Sequence, residues 1–184
     1  TYTSLTDGSH MLLVRAVDAA GNKDASPASQ TWTVDSTAPD TTITGTPSNP
    51  SNITSPGFSF TSNETGVTFQ CQLDSGNYTT CTSPATYTGL TNGTHTFSVK
   101  ATDAAGNTDP TPADYTWVVD TAAPDTAITS HPNNPTNNNS TSFSFTSTES
   151  GATFQCQMDS GNYTACTSPA GYTGLADGTH VFSV

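Results

Sequence analysis

Four cysteines carry the clearest chemistry in this 184-residue chain. Cys71 and Cys81 stand ten residues apart, and Cys156 and Cys166 repeat that spacing. Each pair brackets Asp-Ser-Gly-Asn, a turn signal, with alternating residues on either side. Folding residues 71–81 as a hairpin centred near Gly76 sets the two thiols directly across from each other, so a cross-strand disulfide is expected in each copy. Zinc is the competing chemistry, but two thiolates with no nearby histidine or further cysteine make a poor tetrahedral set. Disulfides persist in oxidising surroundings, which points to a secreted, extracellular or cell-surface location.

A second group of residues offers hard oxygen ligands. Asp18-Ala-Ala-Gly-Asn22-Lys-Asp24 recurs as Asp103-Ala-Ala-Gly-Asn107-Thr-Asp109, and the acids Asp35, Asp40, Asp120 and Asp125 stand nearby in the chain. Asp, Asn and backbone carbonyls suit calcium, and convergence of these groups at a domain junction would let the ion stiffen it. The same stretches read equally as hairpin turns, with Asp capping the loop and Gly-Asn tolerating positive φ. Neither has the spacing of an EF-hand loop. Calcium is the one candidate ion, and no organic cofactor is indicated.

Asn-x-Ser/Thr sequons occur at Asn52, Asn63, Asn77, Asn92, Asn138, Asn139 and Asn162, and they mark candidate glycan sites. His10, His95 and His180 recur in Gly-x-His just before an apolar strand, for which a turn-packing or strand-start role is expected. There is no Gly-x-Ser-x-Gly, His-Glu-x-x-His or phosphate-binding glycine loop. Glutamate occurs only at positions 64 and 149, so a glycosidase pair would need an Asp partner that nothing identifies. The chain is expected not to be an enzyme.

The elements that hold these residues repeat. Phe69–Leu90 (FQCQLDSGNYTTCTSPATYTGL) and Phe154–Leu175 (FQCQMDSGNYTACTSPAGYTGL) match at 19 of 22 positions, 85 residues apart. The offset also relates Trp32 to Trp117, Glu64 to Glu149, and His10 to His95 and His180. A period of that size is a small domain rather than a solenoid unit. Linker signals at Asp35-Ser36-Thr37-Ala38-Pro39-Asp40 and Asp120-Thr121-Ala122-Ala123-Pro124-Asp125 divide the chain. Residues 1–36 then form the end of a preceding repeat, 37–121 a complete repeat, and 122–184 most of a following one whose last strand is missing. Two readings account for the incomplete repeats: the chain is a window on a much longer polypeptide, or strands are exchanged, with residues 8–35 of another copy completing 122–184.

Period-2 alternation places seven short strands in the central repeat. They lie around Ile43, Phe58/Phe60, Val67–Leu73, Tyr78–Cys81, Tyr87–Leu90, Phe97–Ala101 and Tyr115–Val119. Seven strands, turn residues between them and no helical periodicity indicate an all-β, two-sheet immunoglobulin-like sandwich with one disulfide per domain. Hydrophobic content is only 32% and Ser plus Thr make up about a third of the chain, yet the apolar residues are strictly patterned. Three basic residues against 15 acidic ones leave a net charge of −12, which excludes nucleic acid as a partner. No apolar run approaches the ~20 residues of a membrane-spanning helix.

The stretch PDTTITGTPSNP…FQCQLDSGNYTTCTSPATYTGLTNGTHTFSVKATDAAGNTDPTPADYTWVVD resembles the immunoglobulin-like repeats of large bacterial extracellular and surface proteins. Those repeats carry similar C-x-L-D-x-G-x-x-x-x-C-x-S-P, G-L-x-x-G-x-H-x-F-x-V and D-x-A-G-N-x-D stretches before a Trp-containing last strand. The resemblance runs through the whole chain and implies a surface-anchored or filamentous, adhesin-like product. The expected role is a structural segment of a secreted or surface rod or filament, with other copies or neighbouring repeats as partners. The alternative is an adhesin module that binds glycan or protein through sandwich loops, with Tyr78 and Tyr163 as candidate glycan contacts.

Overall fold

A computed structural model describes all 184 residues. It is all-β and divides into two compact units, Thr1–Thr121 and Ala122–Val184. No helix of the protein is long and apolar enough to cross a membrane.

The first unit opens with β1 (Gly8–Val14) and β2 (Ala28–Val34), an antiparallel hairpin running from Gly8 opposite Val34 to Val14 opposite Ala28. It forms a two-stranded sheet, and its Met11, Leu13 and Val14 are exposed. Next come β3 (Thr41–Gly45), β4 (Gly57–Ser62), β5 (Thr68–Leu73), β6 (Thr79–Cys81), β7 (Ala85–Thr86), β8 (Gly93–Thr102) and β9 (Ala113–Val119). They form one sheet in the order β3-β4-β7 and another in the order β6-β5-β8-β9.

Alternation decides which side chains these strands bury. Phe58 and Phe60 of β4, Cys71 of β5, Phe97 and Val99 of β8, and Trp117 and Val119 of β9 make one buried cluster shared by both sheets. Phe58 stacks on Phe97 at 4.3 Å between ring centroids and meets Trp117 at 5.0 Å. Such contacts add about 0.5–1.5 kcal/mol per pair beyond the area they bury, which matters in a repeat with so few apolar residues.

The second unit contains β10 (Thr126–Ser130), β11 (Thr141–Ser147), β12 (Phe154–Met158), β13 (Thr164–Cys166), β14 (Ala170–Tyr172) and β15 (Phe182–Ser183). Its sheets run β10-β11-β14 and β13-β12-β15. The registers reproduce those of the first unit at the 85-residue offset. Phe154 lies opposite Cys166 as Phe69 lies opposite Cys81, and Met158 opposite Phe182 as Leu73 opposite Phe97. Even the irregularity between Ile43 and Gly45 returns between Ile128 and Ser130. No strand of this unit corresponds to β9. Phe143 and Phe182 still stack at 4.2 Å but are only half-buried, whereas their counterparts Phe58 and Phe97 are fully enclosed.

Two strand expectations need correction. The fifth strand lies at Ala85–Thr86, not Tyr87–Leu90. Gly89, at φ +71°, turns the chain out of extended geometry, and Tyr87 and Leu90 donate their N–H groups to the carbonyls of Pro56 and Thr54 instead. The cysteines are not directly across from each other either. Cys71 faces Thr79 and Phe69 faces Cys81, so the hairpin centres on Ser75 rather than Gly76, and the disulfide runs diagonally across the pair of strands.

Candidate functional site

Both disulfides form, Cys71–Cys81 and Cys156–Cys166, each with Cα atoms 5.8 Å apart, inside the range a disulfide accepts. The diagonal register suffices because neighbouring strands bring residues two apart on the same face close together. In both hairpins the sulfurs join an interior strand, β5 or β12, to the edge strand β6 or β13, and the interior cysteine, Cys71 or Cys156, is buried.

Of the ten residues considered for calcium, the structure brings together Asp35, Asp103 and Asn107, and adds Glu64 beside the two carboxylates. One carboxylate oxygen from each of the three acids lies within 4.8 Å of the others. The Asn107 side-chain amide donates to the Asp35 carbonyl at 3.1 Å and so ties the loop after β8 to the segment after β2. Asp18, Asn22 and Asp24 sit at the other end of the β1–β2 hairpin from Asp35, separated by the paired residues Gly8–Val14, roughly 20 Å at strand rise. Asp109 is buried elsewhere, accepting from the Thr41 N–H at 3.0 Å and the Thr111 N–H at 2.8 Å. Asp40 and Asp125 each donate their backbone N–H to a side chain across a strand pair, Asn63 and Thr148 respectively. Asp120 donates its N–H to the Ser51 carbonyl.

The two Asp-Ala-Ala-Gly-Asn loops are internally satisfied. Asp103 accepts from both the side-chain amide and the backbone N–H of Asn107 at 2.8 Å, and Asp18 does the same with Asn22. Hydrogen bonding, led by the Asn side-chain amide, holds both carboxyls below the ordinary value. A hairpin turn therefore accounts for these loops. What sequence reasoning missed was Glu64, and its signal was present: the chain's two glutamates stand one period apart.

Three carboxylates this close repel, by up to about 1 kcal/mol per pair at contact distance in water. Glu64→Gln is accordingly expected to raise the melting temperature in chelator. Melts of parent and variant with and without millimolar calcium check this. A parent that gains stability from calcium while the variant does not would assign the ion to these three residues.

The recurrent histidines have a definite structural setting. His95 Nδ1 lies 3.0 Å from Asp74 Oδ2, and its Nε2 lies 2.9 Å from the Thr91 carbonyl. His180 repeats this with Asp159 at 2.9 Å and the Ala176 carbonyl at 2.8 Å. Asp74 Oδ1 also accepts from the Thr96 N–H at 2.9 Å, while the Asp74 N–H donates to the Thr96 carbonyl at 2.7 Å. The carboxylate thus fastens the tip of the disulfide hairpin to β8, and Asp159 does the same through Val181.

All seven sequon asparagines are exposed. Tyr163 is exposed too, and Lys100 Nζ lies over the Tyr78 ring at 4.2 Å. In the second unit an open cavity of about 630 Å³ is lined by Phe143, Met158, Leu175, His180 and Phe182 among others. Phe143 and His180 are the counterparts of Phe58 and His95, two of the residues whose rings lie against Trp117 in the first unit.

No family model matches the chain, and no curated protein does. A solved structure described as a tetra-tandem repeat in the extending region of a large adhesion protein is similar over 98% of this chain, at 24% identity and a TM-score of 0.36. This chain spans 49% of that one's length.

Proposed function

We propose that this chain is a structural segment of a secreted or cell-surface array. On this reading each repeat is a seven-strand immunoglobulin-like sandwich acting as a non-catalytic spacer in a rod or filament. The observation that supports it is the recurrence, at one 85-residue offset, of strand register, disulfide, bulge and His–Asp contact together. Copies built alike suit spanning distance and resisting unfolding. Scattering from polypeptides of two, four and eight repeats tests the proposal. The maximum dimension is expected to grow linearly, by roughly 35 Å per repeat for strands of up to about ten residues; a dimension that levels off as repeats collapse on one another would overturn it.

In its finer form the proposal is that copies of residues 1–184 share strands. Trp32 of β2 stands 85 residues before Trp117 and pairs with His10 as Trp117 pairs with His95. β2 of one copy, released from β1, would take against β15 of another the place that β9 takes against β8, with the Trp32 indole in the cavity beside Phe143 and His180. The release costs little, because an isolated two-stranded hairpin is marginal in water. Sedimentation is expected to show concentration-dependent association of the parent that Trp32→Ala abolishes. A parent that stays monomeric throughout would exclude strand sharing.

A further inference from the structure

We propose that the His95–Asp74 and His180–Asp159 pairs are repeated imidazolium–carboxylate braces that tie each disulfide hairpin to the following strand more tightly in mildly acidic than in alkaline surroundings. The geometry carries this. A neutral imidazole has one N–H donor and one acceptor nitrogen. In both pairs, however, each ring nitrogen faces an oxygen that only accepts: a carboxylate oxygen on Nδ1 and a backbone carbonyl on Nε2. Only the doubly protonated ring satisfies both contacts at once. A neutral ring must turn a lone pair on one of those oxygens and give up that bond.

His131, which stands outside the repeating set, has one such contact, from Nδ1 to the Pro132 carbonyl at 2.9 Å. The surroundings of His95 add no competing charge at contact distance. The β5–β6 turn presents Asp74, β9 presents the uncharged Trp117 ring at 5.6 Å, and the loop before β8 presents the Thr91 carbonyl. Asp120 follows β9 beyond the Gly93–Val119 pair, two pairs further along the strands from His95–Trp117. Around His180 the β12–β13 turn presents Asp159, and the preceding loop presents the Ala176 carbonyl with Asp177 next in sequence.

The shifts agree with the geometry. The backbone carbonyl of Thr91 or Ala176, followed by the carboxylate, raises each histidine above 6.5. Asp159 is lowered, chiefly by His180. At Asp74 partial burial works to raise the carboxyl but is outweighed by the Thr96 N–H and His95 together. For a histidine raised on folding, the added stability is fully present below about 6.5 and disappears as pH rises through the folded-state value. For the lowered carboxylates it is present above about 3.8 and is lost as pH falls through their folded-state values. Each brace therefore holds best between those limits and loosens on the alkaline side.

NMR titration of the histidines in the intact chain tests this without any substitution. His95 and His180 are expected to titrate above 6.5. Either of them titrating at or below 6.5 would overturn the proposal. As a second readout, the melting temperature of the parent is expected to fall between pH 5.5 and 8, with a shallower fall in the Asp74→Asn/Asp159→Asn double variant. Equal slopes in the two proteins would count against the braces.

Discussion

Trp117→Ala is expected to destabilise the first unit by about 3–5 kcal/mol, the usual cost of removing a fully buried large aromatic ring. Trp117 has no exposed surface, and its ring lies 5.0 Å from Phe58, 5.6 Å from His95 and 6.1 Å from Tyr115. Its Nε1 has no hydrogen-bond partner within the protein, so the loss is one of packing rather than of a polar contact. The whole unit has on the order of 5–15 kcal/mol to lose. Trp117→Phe, which keeps a ring in place, provides a graded comparison. The same substitution at Trp32, one period earlier, is expected to stay within about 1 kcal/mol, because its side chain is only half-buried and lies on a two-stranded hairpin. Urea unfolding followed by circular dichroism gives both values. Equal losses at the two tryptophans would mean that β2 is as well packed as β9, contrary to the structure.

The second large effect belongs to the disulfides. Removing the Cys71–Cys81 bond by Cys71→Ala/Cys81→Ala is expected to cost about 3 kcal/mol, the chain-entropy value for so short a loop. Alanine is the right replacement at position 71, since that residue is buried and a serine hydroxyl there would need a partner. Reductant should lower the stability of the first unit of the parent by a similar amount and leave the first unit of the double variant unmoved, Cys156–Cys166 being reduced in both proteins. The loop closed by Cys156–Cys166 is the same length, so the entropic loss is the same. The second unit meets that loss with fewer buried side chains: only Phe145 and Cys156 of its apolar residues are buried, against seven in the cluster of the first. Under reduction it is expected to unfold first, which calorimetry would show as the earlier transition. A second unit that melts later than the first would contradict this reading of the two cores.

Read without a structure, the chain already determines its period, its all-β class, its cysteine partners and most of its strands. Those properties are local. Side-chain alternation has a period of two, Gly and Asn-Gly mark the turns, and a sequence separation of only ten residues keeps Cys71 within reach of Cys81 across one hairpin. Tertiary structure alone decides the features that depend on residues far apart. The hairpin centres on Ser75, and the contacts of Asp74 at its tip are with Thr96 and His95, more than twenty residues on. Glu64 joins Asp35 and Asp103 only because folding lays the loop between β4 and β5, the loop after β8 and the segment after β2 side by side. For the same reason the Asp18 loop does not join them: an antiparallel hairpin sends its tip and its open end in opposite directions. The histidines show the division most plainly. Their recurrence before each apolar strand is written in the chain, but their pairing with Asp74 and Asp159 exists only once two distant turns pack side by side.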